Sequence, residues 1–502
     1  MKKLLLLLPF LSFNAHAQSI PSKDTSFNSA GKVYLSVWNN NYANCTAVQA
    51  DKKILVGGSI LKNDPSTVNS YLVARYNENG TLDNTFANNG LLYSSVSNSS
   101  IIYDMKVLSD GKIMIAGAGD TSAFIGKLLP NGSYDTTFGN GGIKALNATY
   151  IRDLEILPDG SMVAYGDKNG SSYLVKINAG GQLDAGFGTN GEVSSKFGYP
   201  SLISNAMARQ TDGKYIISGA VVINASYPEN NQMFLARFNS NGTLDTSFGV
   251  NGLLLSSSTA REARDLVFTA GGKILVLGEK PYASTSSVNP NSMFYLLQFN
   301  ADGTPDTTFN GTGTVGFGYN HYSSVKTDMQ NRIYVSGSYF NSTNYYDFRR
   351  FIRLTENGSL DTTFGTNGFY DTSDRVYSSE YRYGSNSMNF TPDGKLVSSG
   401  YVNLPSFYIM VMRLTLSSSN LSSSESISAP ETISVYPNPA KDYFFVQSKE
   451  NITSLELINV LGQTIAKENH VSKINIKGIS SGIYFLKVKT QKHEKTFKVV
   501  KE

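Results

Sequence analysis

The feature that most restricts the fold is a phrase that keeps returning. The pattern D-x-x-F-x-x-x-G occurs seven times in 502 residues. Its aspartates are Asp24, Asp83, Asp135, Asp184, Asp245, Asp306 and Asp361, and its phenylalanines Phe27, Phe86, Phe138, Phe187, Phe248, Phe309 and Phe364. Successive copies are 49 to 61 residues apart, a period that signals solenoids, propellers or arrays.

Two more phrases recur inside each period. One is an apolar run after a D-G-type turn, ending in glycine, as in "DKKILVGG" at 51, "DGKIMIAG" at 110 and "DGKYIISG" at 212. The other is a third apolar run, as in "YLVARYN" and "FLARFN", closed by an N-G or D-G turn. Asn, Asp and Gly tolerate the positive φ of hairpin turns, so each period reads as four short antiparallel strands, one propeller blade. Seven copies of each phrase predict seven blades. The phrases are out of phase, however. The first D-x-x-F, at Asp24, precedes any complete blade, and the last third-strand run, residues 407–414, has none after it. Residues 31–37 ("GKVYLSV") are therefore expected to supply the missing fourth strand of the last blade and remove the open edge. The predicted fold is all-β: a seven-bladed β-propeller over 18–416, closed by an N-terminal strand, plus a small C-terminal β-sandwich.

The repeated phrase reads as structural. An aspartate at a turn accepts backbone N–H bonds, a phenylalanine fills the gap between blades, and the final glycine lets the chain turn back. One aspartate per blade leaves no two close enough to act as a catalytic pair. The runs over about 24–416 resemble the delta-sixty type of bacterial β-propeller repeat, a resemblance that implies a fold and no activity. Asp-Thr-Thr at 135, 306 and 361 also resembles O-glycosylation sites of bacteria with type IX secretion.

The ends differ from the body. Lys2 and Lys3, the short apolar run 4–13 and Ala15-His16-Ala17 read as a signal peptide over 1–17. No later run approaches the length of a transmembrane helix. Residues 417–430 are a Ser-rich linker. Residues 431–502 hold 11 Lys, no Arg and 7 acids, and alternate as β-strands. This tail resembles the type A C-terminal sorting domain of the type IX secretion system. The carrying residues are "YPNPA" with Tyr436, Pro437, Asn438 and Pro439, "NVLGQ" with Gly462, "SGIYFLKV" with Gly482 and Tyr484, and the end "KTFKVVK". The resemblance implies Sec export to the periplasm, recognition by the type IX machinery, and release or attachment to surface lipopolysaccharide.

Little else points to chemistry. Of four histidines only His321 lies in the mature propeller, and Cys45 is the sole cysteine, so a His/Cys zinc site and a disulfide within the chain are excluded. "GTGTVG" at 311 opens no helix, which argues against a dinucleotide site. "NENGTLD" at 77 lacks the acidic positions of a calcium loop. The net charge is +4, and the body lacks a basic block, which argues against nucleic acid. No cofactor or metal is called for. What varies between periods is the loops after the second and fourth strands, and aromatics gather there: Trp38, Tyr42, Tyr319, His321, Tyr322, Tyr377, Tyr381 and Tyr383. Flat rings beside asparagines suit a glycan or protein ligand. The sequence leaves three functions open: an exported binding module, a carbohydrate-active lyase or glycosidase using carboxylates such as Glu262, Asp374 or Glu380, and a purely structural surface protein.

Overall fold

The computed structural model describes residues 21–38, 40–61, 70–94, 99–224, 230–256, 260–280, 293–341, 346–376, 387–403, 406–416, 434–436, 438–448, 450–459, 463–491 and 494–501. Two compact units divide between Asn420 and Leu421. The architecture is all-β and, in the first unit, propeller-like.

The first unit repeats one local design. Strands Ser100–Val107, Ile113–Gly119, Ala123–Leu128 and Ile143–Leu146 form an antiparallel sheet in that order, and four more sheets of the same kind follow between residues 150 and 376. A nine-stranded sheet holds both ends of the unit. One part runs Ser387–Phe390, Leu396–Asn403, Phe407–Thr415, and the other Asn40–Val48, Ile54–Leu61, Ser70–Tyr76, Leu91–Ser94. A single parallel bridge, Phe407 to Asn40, connects them. On the side of Phe407–Thr415 lies the N-terminal strand Lys32–Leu35, with Lys32 opposite Met412 and Leu35 opposite Ile409.

Glycine explains two features. In the first strands one residue is skipped at a bulge, as between Ile102 and Asp104 or Ser204 and Ala206. The glycine that ends the second phrase sits opposite it. A Cβ on Gly117 or Gly219 would fall 1.8 Å from the carbonyl oxygen of Ile101 or Ile203, so only glycine lets the two backbones approach this closely. The last glycine of D-x-x-F-x-x-x-G has a left-handed backbone, φ 94° at Gly90 and 89° at Gly252, and its amide donates to the phenylalanine carbonyl (Gly90 N to Phe86 O, 2.8 Å).

The core lies between sheets. Second and third strands are buried on both faces: every residue of Ser70–Tyr76 is buried. Each repeat phenylalanine sits in a cluster drawn from two adjoining strand groups. Phe86 packs with Leu55 and Val73 on one side and Ile113 and Phe124 on the other. Phe27 does the same with Val411 and Ile409 of the last group and Ile54 and Val56 of the first. The packing therefore continues from the last repeat to the first.

The second unit is a small sandwich. Ser434–Tyr436, Tyr443–Gln447 and Lys473–Asn475 form one sheet, and Thr464–Asn469, Ile452–Asn459, Gly482–Thr490 and Glu494–Lys501 the other. Phe444, Val446, Leu455, Leu457, Ile474, Leu486 and Val488 fill the space between them.

Candidate functional site

The repeated aspartate is a rivet. Asp83 Oδ1 accepts hydrogen bonds from the Thr85 amide at 3.0 Å and hydroxyl at 2.7 Å. Its Oδ2 meets Arg75 Nε at 2.8 Å and Lys53 Nζ at 3.0 Å. The Arg75 guanidinium lies 4.5 Å from the centre of the Phe86 ring, and its Nη1 donates to the Pro130 carbonyl of the next repeat. Asp245 repeats this with Arg237 at 2.7 Å, Lys214 at 2.8 Å and the Ala301 carbonyl, 2.6 Å from Arg237. Asp24 repeats it across the chain ends, with Arg413 at 2.6 Å and Lys395 at 2.8 Å. Burial works against ionisation of Asp83 and Asp245, but the neighbouring hydroxyl and cations hold both carboxyls well below the usual range. The Thr137 hydroxyl and Lys112 lower Asp135 to about 2. These carboxylates are ionised and fully engaged, which suits cross-linking and not proton transfer. The sequence showed the turn role of the aspartate. It also carried, unread, the lysine of the second phrase (Lys53, Lys112, Lys214, Lys273, Lys395), which ties the two phrases together.

The first strands are joined by a second set of bonds. Asp104 Oδ2 accepts from the Leu154 amide, Asp153 Oδ2 from Met207 and Asp265 Oδ2 from Val325, each at 2.9 Å. Asn44 and Asn205 donate to the carbonyls of Ile102 and Ala263. Lys106 sits 3.1 Å from Asp104 and 3.5 Å from Asp153. Burial raises the pKa of Asp153, with Lys106 opposing. Among the described residues no group of His, Cys, Asp and Glu can hold a metal ion.

The aromatic residues expected to bind ligand separate into groups. Trp38 is half-buried and meets Tyr93 edge-on at 5.5 Å. Tyr42 packs 5.1 Å from Tyr401 and 5.4 Å from Phe407. His321 is half-buried beside Phe294 at 6.3 Å. Tyr322 is 2% exposed and wedged between Phe294 at 5.7 Å and Phe317 at 5.5 Å, so its ring fills the core and does not face a ligand. Tyr319 ends strand Thr314–Tyr319, and its side chain lies outside the described set, as do Tyr377, Tyr381 and Tyr383. Glu262, a candidate carboxylate, is buried opposite Glu279. Arg264 binds both, at 2.8 Å from Glu262, and Asn205 donates to Glu262 at 2.8 Å. The side chains of Asp374 and Glu380 are outside the described residues.

Sequence reading missed Tyr93. It is 39% exposed, contacts Trp38, and helps line a cleft of about 460 Å³ with Thr85, Asn88, Leu92, Asn131 and Ser133. Among the described residues no charged one lines that cleft. It opens where one repeat meets the next, beside the bond from Ala87 N to Asn131 O at 2.7 Å.

In the tail, Tyr436 is exposed, Tyr484 is half-buried and donates to the Ser480 carbonyl at 2.9 Å, and Asn438 Oδ1 accepts from the Val500 amide at 2.8 Å. Pro439 is exposed and Gly482 opens strand Gly482–Thr490. Pro437 and Gly462 lie outside the described residues.

Residues 434–502 match the secretion system C-terminal sorting domain, the tail of type IX cargo. Residues 49–86, 108–138, 210–248, 272–309 and 331–364 match a domain of unknown function, the DUF5122 β-propeller. The sorting tail and a propeller repeat are thus found, under a family description that carries no activity. No curated protein matches the sequence. Among solved structures, the β-propeller domain of the Trilobed protease from Pyrococcus furiosus, described as having an open velcro topology, is 11% identical, covering 76% of this chain and 97% of that one at a TM-score of 0.39. A polysaccharide lyase, the PL25 ulvan lyase bound to -[GlcA(1-4)Rha3S]-, is 11% identical, with 76% and 96% covered and a TM-score of 0.45. A protein from Lactobacillus plantarum is 13% identical, with 73% and 94% covered and a TM-score of 0.41. No helix of the described residues is long and apolar enough to cross a membrane.

Proposed function

We propose that this chain is an exported surface or extracellular protein whose propeller is a binding module for a glycan or protein ligand. The leader 1–17 takes it through Sec to the periplasm, the linker 417–430 separates two units, and the tail 431–502 hands it to the type IX machinery for release or attachment to lipopolysaccharide. The propeller has seven blades, closed by the N-terminal strand. Pairing of Lys32–Leu35 with Phe407–Thr415 and the ion pair of Asp24 with Arg413 support that closure. So does the cluster shared by the first and last groups.

The observation that carries the binding reading is the Trp38–Tyr93 corner next to an uncharged cleft. Aromatic faces with amide and hydroxyl groups around them, on a rigid scaffold, are the usual make-up of a ligand pocket. The enzyme alternative gains nothing from Glu262, because Arg264 and Asn205 already occupy its carboxylate. The test is an oligosaccharide array probed with the full chain and with Trp38→Ala and Tyr93→Ala. Each substitution is expected to weaken a detected interaction by about tenfold or more. Tyr93→Ala should leave the melting temperature unaltered, whereas Trp38→Ala should lower it, because Trp38 also packs against the cluster of the first and last groups. Equal binding by all three proteins moves the site elsewhere.

A further inference from the structure

The bulge in each first strand leaves one residue without a partner on the neighbouring strand: Asn44, Tyr103, Arg152, Asn205, Arg264 and Ser323. Asn44 donates to the Ile102 carbonyl at 2.8 Å and Asn205 to the Ala263 carbonyl at 2.7 Å. Arg264 lies between Glu262 and Glu279. Arg152 breaks this pattern. Its half-buried guanidinium lies 4.3 Å from the centre of the Tyr103 ring and 5.0 Å from that of Tyr150, and the two rings meet edge-on at 6.0 Å. Its Nε is shut off from solvent without a hydrogen-bond partner, and among the described residues the guanidinium makes no ion pair. Asp153, next in sequence, is held instead by Lys106 at 3.5 Å and the Met207 amide at 2.9 Å. Tyr150 faces Asp167, and Lys168 faces Ser171. The trio therefore sits at the end of its sheet that carries the loop from second to third strand, away from the D-G turn.

A guanidinium drawn partly out of water needs an acceptor for its N–H groups, and leaving one out costs free energy. Two aromatic rings hold this one in place, which spares a ligand the entropy of ordering it. Its planar fork matches the two oxygens of a carboxylate. We propose that Arg152, positioned by Tyr103 and Tyr150, binds the carboxylate of a sugar acid. The site shares no residue with the Trp38–Tyr93 corner and does not depend on it. One unpaired cation fits one anion. An acidic peptide carries several, and they would meet the Glu262–Arg264–Glu279 group, which holds one net negative charge at the matching position two repeats on. A sugar acid brings a single carboxylate on a ring whose C–H groups pack against tyrosine.

The test is isothermal titration calorimetry of the full chain with a galacturonate trisaccharide, an uncharged galactose trisaccharide, a sulfated galactose trisaccharide and a glutamate octapeptide. The galacturonate is expected to bind, and to bind more weakly as sodium chloride is raised. Arg152→Gln should weaken it by about tenfold or more, and Arg152→Lys, which keeps the charge but not the fork, by less. Tyr93→Ala should bind it like the parent, which separates this site from the corner proposed above. A melting curve for each variant checks the fold; should Arg152→Gln not fold, the Arg152→Lys comparison and the salt dependence decide the matter. Failure of the parent to bind galacturonate at about 10 mM overturns the proposal, as does undiminished binding by Arg152→Gln. Equal binding of the uncharged trisaccharide means that no carboxylate is read, and the proposal fails. Tighter binding of the octapeptide makes the ligand a protein, and tighter binding of the sulfated sugar makes it a sulfate ester; either result overturns the proposal as well.

Discussion

At the scale of single residues, the strongest interactions are those of the repeat aspartates. Arg237 is 7% exposed and directed at Asp245. Asp245→Ala leaves that guanidinium buried without its carboxylate, and breaking such a pair costs about 3 kcal/mol or more. Urea unfolding of the variant should show this loss, while Asp51→Ala on an exposed turn should show almost none. A pH dependence follows from the same groups. The folded-state pKa values of Asp24, Asp83, Asp135 and Asp245 lie below those of the unfolded chain. Their contribution is therefore present above the ordinary carboxyl range and lost as pH falls from about 4 toward 2. Asp153, raised by burial, contributes in the opposite sense, favouring the folded state at low pH and losing that contribution as pH rises. Glu155 is raised by burial as well, but Asp184, Asp306 and Asp361 join the lowered group. The lowered carboxyls outnumber the raised ones, so the melting temperature should drop steeply below pH 4; a flat profile to pH 2 would contradict the rivet. The turn chemistry of these aspartates was legible because it is local: Asp, then Thr or Ser two residues on. The lysine partner was not, because Lys53 and Asp83 meet only once two hairpins have folded.

At the scale of elements, the strand order and the interrupted phase were legible, since alternation and turn residues repeat with the period. The fate of Tyr322 was missed by treating its loop in isolation. In the register of the first strands, Tyr322 faces Gly337 just before the bulge, as Ile102 faces Gly117 and Ile151 faces Gly166. Superposing the repeats would have shown it as a core position. Tyr93 was missed for the opposite reason: in "LLYS" its ring looks like one more apolar strand residue, yet Leu91–Ser94 is the last strand of its sheet path and one face meets solvent. Two outcomes test the element level. Phe248→Ala removes a fully buried ring from the cluster with Leu235 and Val276, which costs about 3–5 kcal/mol. Deleting residues 21–38 removes Phe27, Asp24 and the strand over Phe407–Thr415, and uncovers a row of backbone donors and acceptors. The deletion variant should lose its single cooperative melt and aggregate at micromolar concentration. A truncated chain that melts like the parent would show the N-terminal strand to be dispensable.

At the scale of the whole molecule, two compact units divide between Asn420 and Leu421, and each has apolar clusters of its own. Removing 431–502 is therefore expected to leave the first unit's melting temperature unchanged and to hold the protein in the periplasm. Differential scanning calorimetry of the intact chain should resolve two transitions, the smaller one absent after the deletion; a single shared transition would mean that the units stabilise each other.

The pairing of Lys32–Leu35 with Phe407–Thr415 also sets a schedule. The strand made first finds its partner last, since nearly the whole repeat region must emerge before Phe407 is available. Until then Asp24 lacks Arg413, and Phe27 lacks Val411 and Ile409. Were the chain threaded through a membrane from its N-terminus, as the proposed export requires, it would remain unlatched for most of its passage, and its maturation would be gated by completion rather than by the folding of any one repeat.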